Sequence, residues 1–121
     1  MASNWHTYTT REIETLARTG GGLTDEGEQL CPACGHRTVR RYLHEHQGPQ
    51  RTVRMSYVWC SNCHRYSSST GPSIASIYEF DDPGETSAEL RALRDSDLFG
   101  LLDHLDALWD AGVLPQHFTR R

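Results

Sequence analysis

Two periodicities divide this chain. From Thr38 to His44 the positions alternate, with Val39, Arg41 and Leu43 on one side and Arg40 and Tyr42 on the other. Residues 51–59 alternate again: Val53, Met55, Tyr57 and Trp59 share a face, opposite Thr52, Arg54, Ser56 and Val58. A period of two marks strands, and the polar stretch 44–50 (HEHQGPQ), with its Gly-Pro, reads as the loop of an antiparallel hairpin. Further strands are expected over 64–69 and 74–80, separated by Thr70-Gly71-Pro72.

Past the turn signal Asp81-Asp82-Pro83-Gly84 the period changes. Leu98, Leu101, Leu102, Leu105, Leu108 and Trp109 recur at helical spacings, predicting a helix over 97–111. Ser96 is placed to cap it, Gly112 to take the left-handed C-terminal position, and Pro115 to stop it. Leu90 and Leu93 predict a shorter helix capped by Thr86 or Ser87. Near the N-terminus, Thr9-Thr10-Arg11-Glu12 fits a capping box, Ile13, Leu16 and Ala17 fall on one face, and Gly20-Gly21-Gly22 ends the segment.

These elements predict an α+β fold in a single domain spanning 1–121: an N-terminal helical arm (1–22), a small antiparallel sheet (30–80) and C-terminal helices packed on it (86–115). The sheet is expected to have three or four strands. Its core is expected to draw on Leu43, Val53, Met55, Tyr57, Ile77, Leu101, Leu105 and Trp109. The N-terminal helix either closes the other face or serves as an interaction arm through Trp5 and Tyr8.

Composition changes this picture in one respect. Only 36% of 121 residues are hydrophobic, a thin supply for a core, so a metal that ties loops together would help. The four cysteines fall into two Cys-x-x-Cys pairs, Cys31/Cys34 and Cys60/Cys63, with none left over. In a reducing compartment such pairs serve as metal ligands, and disulfides are the alternative in an exported protein. In Cys31-Pro32-Ala33-Cys34-Gly35, Pro32 presets the turn and Gly35 can take positive φ. In Cys60-Ser61-Asn62-Cys63-His64, His64 stands where the glycine would be.

The 25 residues between Cys34 and Cys60 accommodate a two-stranded hairpin. The pattern resembles a zinc ribbon over roughly residues 30–66. That resemblance implies one structural Zn²⁺ held by Cys31, Cys34, Cys60 and Cys63, with no coordination position open for catalysis. The same ligands suit a rubredoxin-like iron site; His36 and His64 stand close enough in sequence to replace a cysteine, but the preferred reading is that they line the surface of the turns or donate hydrogen bonds to the ligands.

No segment approaches the ~20 apolar residues of a membrane span, and the first ten residues lack the features of a secretory signal, so a soluble, cytoplasmic protein is expected. No phosphate loop, nucleophile elbow or His-Glu-x-x-His motif is present, and the chain reads as non-enzymatic. The histidines, His44 and His46 in the expected loop among them, read as surface residues.

Charge is distributed unevenly. Residues 36–70 hold six arginines and one acid, +5; residues 71–121 hold ten acids and four arginines, −6; residues 1–35 hold two arginines and five acids, −3. Two readings follow. The acidic helices, with Asp95, Asp97, Asp103, Asp106 and Asp110, form a face suited to a basic protein partner. In size and charge the chain resembles the small acidic immunity proteins of bacteria. That resemblance implies an antitoxin whose acidic groups occupy the cleft of a basic toxin or nuclease. The alternative is a nucleic-acid-binding ribbon, an accessory factor in transcription or translation, with Arg40, Arg54 and Arg65 on phosphates and Tyr42 among the stacking aromatics. Protein binding is the preferred reading.

Overall fold

The computed structural model of the protein describes residues 4–19 and 27–121. The Gly20-Gly21-Gly22 stop lies outside the described residues.

Alternation produces a five-stranded sheet of order β1-β5-β4-β3-β2, where β1 is His6–Thr7, β2 Gln29–Leu30, β3 Arg37–Gln47, β4 Thr52–Cys60 and β5 Arg65–Pro72. The β3–β4 hairpin is antiparallel and in register from Val39↔Cys60 to Gln47↔Thr52. Strand β3 therefore continues through His44-Glu45-His46-Gln47, and Gly48 N donates to Arg51 O at 3.0 Å to close the remaining turn. The polar residues stay extended because the rest of the molecule uses them: His44 meets Asp82, and Glu45 accepts from Ile74 N. Similarly, β5 runs on through Thr70-Gly71-Pro72, beyond the two residues at which β1 covers its outer edge. Proline is tolerated on such an edge, which needs no amide donor.

Strand β1 is parallel to β5 and was not expected. It draws Trp5 and Tyr8 into the core, so neither is an exposed contact. The segment expected as a fourth strand contributes only β6 (Tyr78–Phe80). This pairs with β7 (Phe118–Arg120) in a separate two-stranded sheet, leaving Ile77 exposed instead of in the core.

The helices follow their local signals closely. Helix α1 (Thr10–Thr19) opens on the capping box, with Thr9 N donating to Glu12 Oε1 at 2.9 Å and Glu12 N to Thr9 Oγ1 at 3.2 Å. A 3₁₀ turn (Pro83–Glu85) follows Asp82, and α2 (Ala88–Ser96) is capped by Ser87. Asp97 caps α3 (Leu98–Asp110), taking the role expected of Ser96, which closes α2. At its end Gly112, with φ +81°, donates to Trp109 O and Val113 N to Leu108 O, the hydrogen-bond pair of a Schellman stop.

The sheet has a core on each face. Tyr42, Tyr57 and Trp59 point to the face covered by α2 and α3, where they meet Trp5, Leu90, Leu101, Leu102, Leu105 and Leu114. Val39 and Cys60 point the other way and pack with Tyr8, Cys31 and Leu16. Because Tyr42 pairs with Tyr57, Leu43 belongs to the second face, away from the helices. Its backbone lies beyond β2, at the open edge of β3, where the buried Gln116 side chain replaces a neighbouring strand. Gln116 Oε1 accepts from Leu43 N and its Nε2 donates to Leu43 O, both at 2.8 Å.

Candidate metal centre

Each Cys-x-x-Cys pair sits on a turn between strands, Cys31 and Cys34 between β2 and β3, Cys60 and Cys63 between β4 and β5. The two turns are built alike. Gly35 N donates to Cys31 O at 2.9 Å and His64 N to Cys60 O at 3.0 Å. Both residues closing the turns have positive φ, +78° for Gly35 and +60° for His64. His64 holds that conformation with its ring 4.7 Å from that of Trp5. The hairpin register then brings the turns together, since Val39 lies opposite Cys60.

The four sulfurs all lie within 4.8 Å of one another, and the pairs Cys31–Cys63 and Cys34–Cys60 are each 3.7 Å apart. A tetrahedron with metal–sulfur bonds of ~2.3 Å has edges of ~3.8 Å, so the donor set fits one tetrahedral ion. None of the sulfurs is disulfide-bonded.

Neighbouring groups are arranged for thiolates. The Tyr8 hydroxyl is 3.2 Å from Cys31 Sγ and the Thr38 hydroxyl 3.1 Å from Cys60 Sγ, while Cys63 N donates to Cys60 Sγ at 3.4 Å. Burial, with the adjacent sulfur, raises the Tyr8 pKa, so this phenol keeps its proton and serves as a donor. Burial also pushes the Cys63 thiol up to about 12. At Cys34 burial is outweighed by hydrogen bonds from the Asn62 side chain and the His36 backbone, which hold the thiol down to about 6. Four crowded thiols resist joint ionisation unless a cation is present to offset the charge. The chemistry of the donors and their spacing thus point to the same occupant, one metal ion.

The remaining candidate residues are separated by the fold. Arg40 lies beneath α3 with only 11% of its side chain exposed, paired to Glu28 at 3.1 Å, Asp106 at 2.8 Å and Asp110 at 2.9 Å. Tyr42 is fully buried in the same interface. Arg54 and Arg65 point to the opposite face of the sheet, where Arg65 stands 3.9 Å from Glu12. The arginines and aromatics proposed for nucleic-acid contact are therefore split between two faces, with Arg40 and Tyr42 under the helices and Arg54 and Arg65 on the other side.

The acidic set divides as well. Asp106 Oδ1 accepts from both Arg40 and Trp59 Nε1, the latter at 2.9 Å, and Asp103 accepts from Trp5 Nε1 at 2.9 Å. Asp97 caps its helix, and Asp95, Asp97, Asp103 and Asp110 are solvent-exposed.

A second polar cluster escaped the sequence reading. Asp82 accepts from the Tyr42 hydroxyl at 2.5 Å and from Gly84 N at 2.8 Å, and its Oδ2 lies 3.0 Å from His44 Nδ1, which Arg94 Nη1 also approaches at 2.8 Å. Arg94 donates to the Tyr42 oxygen at 3.0 Å. Burial alone would raise the Asp82 pKa, but the hydrogen bonds from His44 and Tyr42 outweigh it and hold the carboxyl below its ordinary value. His44, Asp82 and Arg94 of the cluster line a cavity of about 400 Å³, and the cluster ties β3 to the start of the helical layer. Its members come from residues 42–94, and nothing in the local spacing announces their meeting.

The fold and site together define a small α+β protein with a cluster of four cysteines that could hold one metal ion. No family model, curated protein or solved structure matches the chain. Among the described residues, no helix is long and apolar enough to cross a membrane.

Proposed function

We propose that the bound ion is a structural Zn²⁺ in a zinc-ribbon-like centre, and that the protein acts by binding a protein partner through the solvent face of α2 and α3. Four cysteines complete a tetrahedral shell and leave no position for a substrate or an activated water, so a zinc ion here holds turns together. The observation that carries the binding reading is the exposed patch at the start of α3. Phe99 is 40% exposed there, beside Asp95 and Asp97 in sequence and one turn from Asp103. An exposed apolar side chain with carboxylates close to it in sequence suits a basic protein surface. A bacterial immunity protein or antitoxin directed at a basic toxin or nuclease is the particular role we infer.

The alternative, a nucleic-acid-binding transcription or translation factor, has support from the arginines on the sheet face that points away from α2 and α3. It lacks the stacking platform, because Tyr42, Tyr57 and Trp59 are buried. Co-expression with the product of an adjacent gene tests the choice. The expected result is relief of that product's toxicity and a purifiable complex, both lost with Phe99→Ala combined with Asp95→Arg. Submicromolar binding of mixed RNA or DNA at physiological salt, lost with Arg54→Ala, would overturn it.

A further inference from the structure

A groove of about 310 Å³ lies between α1 and the sheet face that points away from α2 and α3. Its apolar wall comes from α1 and the sheet, chiefly Leu16 and Val58. Its polar lining includes Arg41, Arg54, Ser56, Ser67 and Ser69, and among the described residues no carboxylate lines it. In a chain of net charge −4 this is an unusual concentration of donors.

Register explains the grouping. Ser56 lies opposite Ser69, Val58 opposite Ser67, and Arg54 opposite Gly71 on neighbouring strands, so alternate side chains emerge on one face. Arg54 lies flat over β5 because Gly71 has no side chain; a Cβ there would collide with the guanidinium. Arg54 Nε is buried and meets no acceptor, and the arginine forms no ion pair within the described residues. Glu45, directly across the hairpin from Arg54, accepts from Ile74 N through Oε1, keeps its buried Oε2 unpartnered, and does not line the groove. Arg54 lines the groove without an ion-pair partner among the described residues, and an anion seated there would offset its charge.

We propose that this groove binds a small amphipathic organic anion, a carboxylate or phosphate monoester carrying an apolar group. The charged end sits against Arg54 and the serine hydroxyls, and the apolar end packs under α1. The volume is at the lower end of the range for small-molecule sites. This inference is independent of the partner-binding role proposed above and uses a different face of the protein.

The metal-loaded protein would be titrated with octanoate and with phenyl phosphate, followed by amide chemical shifts and calorimetry, with octylamine and inorganic phosphate as controls. Saturable shifts are expected at Ser56, Ser67 and Ser69 with one or both amphipathic anions. The ammonium control should leave them unmoved, and inorganic phosphate should bind at least tenfold more weakly. Arg54→Ala and Gly71→Ala should each weaken binding at least tenfold, whereas Arg91→Ala, on the other side of the sheet, should not. Thermal melts and zinc content would show that each variant is folded, and Arg54→Lys, with charge but no planar fork, should be intermediate. No saturable binding by the wild-type protein up to millimolar ligand would overturn the proposal. So would undiminished binding by a folded Arg54→Ala variant, or shifts centred on the His44 cavity. A response to a single-stranded oligonucleotide at least tenfold stronger than to phenyl phosphate would assign the face to a polymer and overturn it as well.

Discussion

Removing the Asp106 carboxylate tests whether the acidic stripe on α3 anchors the helix to the sheet. Its Oδ1 accepts from Trp59 Nε1 at 2.9 Å and Arg40 Nη1 at 2.8 Å, and neither donor has open access to water: Trp59 is fully buried and the Arg40 side chain is 11% exposed. In Asp106→Ala the indole N–H loses its acceptor at a cost of about 1–3 kcal/mol. Arg40 keeps Glu28 and Asp110, so its loss falls well below the ~3–5 kcal/mol of a wholly broken buried pair. Together these give about 2–4 kcal/mol, which for a domain of this size lowers Tm by roughly 10 °C. Asp106→Asn retains an acceptor for Trp59 and should lose about half as much. Asp110→Ala, whose carboxylate is 67% exposed, should cost less than ~1 kcal/mol. Urea unfolding at saturating zinc measures all three. An Asp106→Ala variant within ~0.5 kcal/mol of wild type, with its zinc content intact, would refute the reasoning, since surface changes alone have effects of that size.

Three further outcomes are expected. Cys60→Ser, or removal of zinc by a strong chelator, should lower the thermal midpoint by far more than a few degrees, because the binding energy of a structural zinc is folding energy; a melt that barely moves would make the centre peripheral. The depressed pKa of Asp82 contributes stability that is present above the ordinary carboxylate value and is lost as pH falls through the folded value. Asp82→Asn should therefore flatten the acid limb of a urea-midpoint profile below pH ~5, and an unchanged limb would contradict the cluster. Gly112→Ala meets no atom within 4 Å, so its cost is the left-handed backbone alone, about 1–2 kcal/mol; a neutral result in the same melts would mean that the α3 stop can re-form at negative φ.

Much of the fold is written in short-range signals. The capping box at Thr9 and Glu12, the Gly112 stop, the leucine stripe of α3 and the two Cys-x-x-Cys turns each depend on residues a few positions apart. Such signals survive wherever the segment is placed. Expectations failed where an element's state depends on remote partners. Residues 44–47 are polar enough for a loop, yet they are strand because β4 pairs with them along their length. Ile77 is apolar enough for a core, yet it is exposed because β6 pairs with β7 and not with the main sheet.

The four cysteines that could hold a metal ion and the helical layer could thus be named from the chain alone, since thiol chemistry and helical periodicity need no knowledge of the rest. The disposition of charge could not. Sequence counts a basic middle and an acidic end, but only tertiary packing determines that Arg40 is held by Glu28, Asp106 and Asp110 while Arg54 faces an open groove. The physical reason is the two-residue period of a strand. Together with the register of β3 on β4 it sends Arg40 and Arg54 to opposite faces, and what waits on each face is decided by segments far away in the chain.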